Sequence, residues 1–144
     1  MPTAQTILDR KGNDVATVDH DQTVLDAAKL MNTRHIGALV VTKGERVVGI
    51  FTERDILNRI VAAGVAPEST RVGDVMTAPM ACACRDTKIA ECRGVMTSKR
   101  IRHLPVVENG KLYGMISSGD ILASEVEERQ ATIEYLQEYL HGHR

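Results

Sequence analysis

Apolar and polar positions fall into blocks that alternate between helical and strand periodicity. Val24, Ala27, Ala28 and Met31 recur at helical spacing after Asp21-Gln22-Thr23, which predicts a helix running to about Arg34. Ile36 to Val41 reads as a buried strand, Lys43-Gly44-Glu45 as a hairpin turn and Arg46 to Phe51 as the returning strand. Thr52 then opens a second helix with Ile56, Leu57, Ile60 and Val61 as its apolar stripe. Ahead of these, Ile7 and Leu8 predict a short lead-in helix, and Val15 to Val18 a short strand. The unit is β-α-β-β-α.

The same order returns 65 residues later. Thr6–Leu57 aligns without a gap with Arg71–Leu122, and 11 of those 52 positions are identical, among them Gly49/Gly114, Asp55/Asp120, Ile56/Ile121 and Leu57/Leu122. Ordinary composition would give about three. The chain is an internal duplication. Val72, Val75 and Met76 form the second lead-in helix, Met80–Ala83 a short strand and Ile89–Ser98 a helix. Ile101–Val107 and Lys111–Ile116 are the hairpin strands, and Ser117 starts the last helix of the repeat. The expected organisation is repeat one over 1–62, a linker over 63–70 marked by Gly64 and Pro67, repeat two over 71–125 and a helical extension over 126–144. A unit of about 60 residues buries too little to be secure alone, so the copies should pack together. In the extension Val126, Ile133, Leu136, Tyr139 and Leu140 give a partial apolar stripe, for a helix that either docks on the domain or meets a second copy.

Composition narrows the function. Lys+Arg number 18 against 19 Asp+Glu, so there is no basic footprint for nucleic acid, which is not an expected partner. No apolar run approaches a membrane span and no signal peptide is visible, so a soluble, cytoplasmic protein is expected. The three cysteines do not make a disulfide framework. Cys82 and Cys84 have the wrong spacing for a zinc knuckle, and Cys82, Cys84 and Cys92 read as structural thiols with redox sensing as the alternative. His20, His35, His141 and His143 form no ligand spacing, so no metal is expected beyond adventitious binding at His141-x-His143. No nucleophile and base pairing is visible, and an enzyme is not expected.

Gly49-x-x-Thr52-x-x-Asp55 and Gly114-x-x-Ser117-x-x-Asp120 each run from a strand into a helix. The hydroxyl is placed to cap the helix, and Asp at its third position favours the positive end of the dipole. Together with Val72-Gly-Asp-Val-Met76, Arg102-His-Leu-Pro-Val-Val107 and His35-Ile-Gly-Ala-Leu-Val-Val41, the paired motifs resemble CBS domains, named after cystathionine β-synthase. The resemblance covers about residues 3–125. The terminal Thr132-Ile-Glu-Tyr-Leu-Gln-Glu-Tyr-Leu140 is similar to the tail of small stand-alone bacterial CBS-pair proteins.

The resemblance implies an α+β fold in which two tandem β-α-β-β-α repeats pack as a pseudo-twofold pair, plus the C-terminal helix. It also implies a homodimer, an unidentified protein partner and a reversible adenine nucleotide ligand (AMP, ADP, ATP or NAD) in the central cleft, with no catalytic cofactor. Besides capping, Thr52 and Ser117 would then face phosphate, and Asp55 and Asp120 would accept ribose hydroxyls. Arg54, Arg102 and His103 are candidates for phosphate contact, alternatively solvated strand and helix ends. Gly37, Ala38, Leu39 and Leu104, with Val18 and Ala83, would border the base, alternatively serving strand packing. Arg54 aligns with Gly119, and Arg102-His103 with Gly37-Ala38, so the two sites are not equivalent. The rival reading is an interaction and dimerisation scaffold with an unoccupied cleft.

Overall fold

The computed structural model describes residues 1–141, with no description of the His141 side chain. Helix α1 (Ala4–Lys11) leads to β1 (Thr17–Asp19), α2 (Val24–Arg34), β2 (Ala38–Lys43) and β3 (Arg46–Thr52). Helix α3 starts at Glu53–Asp55 and continues as a π-helical segment, Ile56–Val61. The second copy comprises α4 (Val72–Val75), α5 (Ile89–Lys99), β4 (His103–Glu108), β5 (Lys111–Ser117) and α6 (Ser118–His141). The two-repeat α+β fold read from the sequence is the one observed.

In repeat one, β1 pairs parallel with β2, and β2 antiparallel with β3. Repeat two keeps the antiparallel pair β4–β5, with irregularities in equivalent places, between Val41/Thr42 and between Val106/Val107. Its hairpin turns on Asn109 and Gly110, both at positive φ (53° and 78°), which the twist of a tight hairpin requires. The strand expected over Met80–Ala83 is reduced to one parallel bridge, Ala83 to Val106. The reason is local. Val40 donates its N–H to Ala16 O at 3.2 Å, but the equivalent residue in repeat two is Pro105, which has no N–H to give.

The lead-in helices are exchanged. Ala4, Ile7 and Leu8 of α1 are buried with Ile89, Cys92, Met96, Leu104, Val106, Ile116 and Ile121 of repeat two. Val72, Val75 and Met76 of the second lead-in pack with Val18, Val24, Leu39, Val41, Phe51 and Ile60 of repeat one. Gly49 and Gly114 make room for this. A Cβ on Gly49 would lie 2.6 Å from Met76 Sδ and 2.9 Å from Thr77 O, and one on Gly114 would lie 2.5 Å from Leu8 Cδ2. Each buried aliphatic contributes roughly 1.5–3 kcal/mol, so each repeat draws part of its core from the other's sequence.

Two expectations about the helices change. The π segment of α3 (Ala62 N–H to Leu57 O, 2.9 Å) turns the expected stripe apart: Ile60 is buried, whereas Leu57 and Val61 are exposed. There is also no break near residue 125. Helix α6 runs on for 24 residues; Glu127 still reaches back to Arg10 of α1, and the side chains beyond it as far as Leu140 are exposed.

Candidate functional site

Each repeat brings the end of one strand beside the start of its neighbour. Thr52 closes β3 opposite Ala38, and Ser117 closes β5 opposite His103. The chain then enters a helix whose first N–H turns back to the residue just before β2 or β4. Glu53 N–H donates to Gly37 O at 3.1 Å, and Ser118 N–H to Arg102 O at 2.9 Å. Gly37 is held close by this: a Cβ there would meet the Glu53 carboxyl at 3.2 Å. Both hydroxyls cap as expected. Asp55 N–H lies 3.3 Å from Thr52 Oγ1, and Asp120 N–H 3.1 Å from Ser117 Oγ.

The two carboxylates differ in what they have left to offer. Asp55 is buried and saturated. Its Oδ2 accepts Thr52 N–H (3.0 Å) and the Thr52 hydroxyl (3.3 Å), while Oδ1 accepts the Thr77 hydroxyl (2.9 Å) with Arg59 Nε at 3.8 Å. Asp120 is half-buried, and its bonds fall on Oδ2, from Ser117 N–H at 2.8 Å and Lys11 Nζ at 2.7 Å. Burial pushes the Asp120 carboxyl up, but the Lys11 ammonium and the Ser117 N–H outweigh it and hold the group below the usual carboxylate range. Among the described residues, the hydrogen bonds to the Asp120 carboxylate fall on Oδ2 and none on Oδ1. Gly119 beside it presents no side chain, and the nearest atom to a notional Cβ there is Ser117 Oγ at 3.7 Å.

Charged groups from both repeats meet around this point. Arg54 reaches across and donates through Nη1 to Arg100 O at 2.8 Å, at the left-handed residue that caps α5. His103 is held below its ordinary value by burial first, with Lys11 and Arg102 adding to the effect and Glu53 and Asp120 opposing it. Arg102 is exposed. A hollow of about 430 Å³ in repeat one is lined by α2, His35, Ile36, Glu53 and Ile56, and no described residue of repeat two lines it. Glu53 belongs both to its wall and to the surroundings of His103. Side chains of Val18, Ala38, Leu39, Ala83 and Leu104 are buried in strand packing, so only their main chain could meet a ligand.

Two copies of one strand-to-helix junction, tied by exchanged helices, agree with the family comparison. The CBS domain model matches residues 8–62 and 72–127. The chain belongs to the CBS-domain family. A putative signal-transduction protein with CBS domains from Burkholderia ambifaria is 40% identical, with a TM-score of 0.83 over 88% of this chain and 95% of that one. The mitochondrial CBS domain-containing protein CBSX3 of Arabidopsis thaliana is 40% identical over 127 residues, 85% of this chain and 62% of that protein, so this chain spans about three-fifths of it. The hexameric CBS-CP12 protein from bloom-forming cyanobacteria is 31% identical, with a TM-score of 0.72 over 85% of this chain and 70% of its own. The first two relatives carry names of signalling or CBS-containing proteins, not of enzymes.

Three residues of this CBS pair at the site escape motif reading. Lys11 ends a lead-in helix and gives no sign in sequence of facing Asp120. Thr77 follows the second lead-in, and Glu53 occupies a variable position of the motif. The exchange of lead-in helices is what brings Lys11 and Thr77 in, and only packing reveals it. Away from the CBS cleft, Cys84, Asp86 and Glu108 bring a thiol and two carboxylates together. Glu108 is gripped there by Arg85, whose Nε and Nη2 lie 3.0 and 2.8 Å from Oε2 and whose guanidinium stacks on Tyr113. The histidine pair His141 and His143 lies outside the described side chains. No helix of the described residues is long and apolar enough to cross a membrane.

Proposed function

We propose that the chain is a cytoplasmic sensor module that reversibly binds an adenine nucleotide (AMP, ADP, ATP or NAD) between its two CBS repeats, without catalysis of its own. The observation that carries this reading is the half-exposed Asp120 carboxylate, with no hydrogen bond on Oδ1 among the described residues, beside the Ser117 cap and the partly buried His103. A carboxylate kept ionised and oriented can accept both hydroxyls of a ribose. Arg102, next to His103 on the chain, and Arg54, which reaches across to Arg100 O, are the cations offered to a phosphate, with His103 as a hydrogen-bonding neighbour held below its ordinary pKa. Asp55, with all its partners internal, is the weaker candidate, so repeat two is the preferred ribose site. About 23 heavy atoms at ~0.3 kcal/mol each give a Kd on the order of 10 µM, within reach of cellular nucleotide levels. The signal would pass through a shift between two arrangements of the repeats, or through assembly with further copies or a protein partner, for which the hexameric relative is a precedent.

The test is thermal denaturation with AMP, ADP, ATP and NAD, for the wild-type chain and for Asp120→Ala. Ligand at 100 times Kd adds ~2.7 kcal/mol, and the substitution is expected to abolish that gain. No shift with any of the four at millimolar concentration would leave the scaffold reading in its place.

A further inference from the structure

Helix α6 carries a second pattern that the cleft does not use. Leu122, Val126, Arg129, Ile133, Leu136 and Leu140 follow one another at spacings of four, three, four, three and four residues. That alternation is a coiled-coil seam, with Val126, Ile133 and Leu140 at one core position of the heptad and Leu122, Arg129 and Leu136 at the other. The five apolar members are all exposed, Ile133 the least at 48% and Leu140 the most at 67%. The seam spans about 27 Å along the helix axis. The first turns of α6 are held by the domain through Ile121, Arg93–Glu125 and Arg10–Glu127, and the exposed stretch beyond Glu127 is short enough to be marginal in water without a partner for its apolar face.

We infer that this seam pairs with the α6 seam of a second copy of the chain, antiparallel, through the layers Leu122–Leu140, Val126–Leu136 and Arg129–Ile133. The charges on α6 fit a second copy of the same helix. Positions flanking the seam are Ala123, Glu125, Gln130, Thr132, Gln137 and Tyr139, and the single acid among them is held by Arg93 of its own domain. The remaining acids, Glu127, Glu128, Glu134 and Glu138, fall on the outer positions. Two copies therefore meet without opposing like charges along the flanks. The direction follows from Arg129. A parallel, in-register pair would stack Arg129 on Arg129 in a core layer, a buried like-charge contact. The antiparallel pair, centred near residue 131, sets each Arg129 against Ile133 and keeps the two cations in different layers. This inference goes beyond nucleotide binding and is independent of whether the cleft holds a ligand.

The test is sedimentation equilibrium of the full chain and of variants at these exposed positions. Ile133→Glu is expected to weaken dimerisation at least tenfold and Arg129→Leu to tighten it at least tenfold, with circular dichroism reporting an intact domain. A monomeric wild-type chain, or a dimer that neither substitution moves, overturns the proposal. Direction is read by crosslinking with Cys82, Cys84 and Cys92 replaced by alanine. Val126→Cys with Leu136→Cys should oxidise to a covalent dimer while Val126→Cys alone does not. Efficient crosslinking of the single variant overturns the antiparallel pairing.

Discussion

Lys11 Nζ stands 2.7 Å from Asp120 Oδ2 and 3.0 Å from Met115 O, so the last residue of an exchanged helix grips the carboxylate that opens α6. The corresponding carboxylate of the first repeat is gripped by Thr77, which follows the other exchanged helix, at 2.9 Å. Each lead-in segment thus ends on the motif Asp of the repeat it crosses to. The consequences differ because Asp120 is half-exposed and Asp55 buried. The Lys11 pair is partly solvated, and its removal in Lys11→Ala should cost no more than ~1 kcal/mol. Asp55→Ala leaves two half-buried hydroxyls, of Thr52 and Thr77, and the Thr52 N–H without their acceptor and should cost ~2–3 kcal/mol. Urea denaturation at neutral pH checks the order, and a larger loss for Lys11→Ala would refute it. Because the Asp120 carboxyl is depressed in the folded state, its contribution is present above its unfolded pKa and is lost as pH falls through the folded value.

The glycines of the two motifs are set by the same crossing. Gly114→Ala drives a methyl to within 2.5 Å of Leu8 Cδ2, and Gly49→Ala places one 2.9 Å from the Thr77 carbonyl. Overpacking of this kind costs ~1–3 kcal/mol. The Gly114 obstacle is the far end of a side chain, the Gly49 one includes backbone. Shortening Leu8 to Val should therefore recover part of the loss in Gly114→Ala, whereas Met76→Ala should recover less in Gly49→Ala. Melting temperatures of the four variants measure this, and equal rescue in both repeats would argue against the distinction.

The duplication, the strand and helix order and the two capping boxes are legible in the sequence because each rests on short-range chemistry: apolar period, a hydroxyl three residues before Asp, Asn-Gly at a hairpin. Val72, Val75 and Met76 read clearly as a lead-in helix, but nothing in their spacing tells which repeat they cover. That is decided by where two cores have room, at Gly49 and Gly114. The π segment is invisible for a similar reason. Ile56, Leu57, Ile60 and Val61 fit an ordinary helical stripe, and the longer turn that exposes Leu57 and Val61 arises from packing, not from their identity. Pro105 is the converse case. Its missing N–H foretells the lost strand over Met80–Ala83, once it is placed opposite that strand. At the site, Asp120 and Asp55 look alike in sequence, and their difference in exposure comes from neighbours far along the chain.

His103 should make the fold sensitive to mild acid. Burial lowers its folded pKa from the ordinary 6.5, with Lys11 and Arg102 acting in the same direction against Glu53 and Asp120. The unfolded chain therefore takes up a proton at higher pH than the folded one. Stability rises with pH between the folded and unfolded values and falls as pH drops below about 6.5. His103→Gln, which cannot titrate, should lose less stability than the wild type between pH 7.5 and pH 5.5. Parallel losses in the two proteins would show that His103 does not carry the effect.

Thiol chemistry should separate the cysteines by position. Cys82 and Cys84 are exposed, whereas Cys92 is buried in the core that α1 completes. Burial, with Glu91 nearby, also pushes the Cys92 thiol up, so little thiolate forms at neutral pH. A neutral alkylating reagent is therefore expected to modify Cys82 and Cys84 quickly and Cys92 only as the exchanged helix lifts away or the repeat unfolds. Leu8→Ala loosens that cover and should accelerate labelling of Cys92 while leaving the two exposed thiols unchanged. Mass spectrometry of timed samples distinguishes the sites. Rapid labelling of Cys92 in the wild-type chain would mean that α1 does not seal the second repeat.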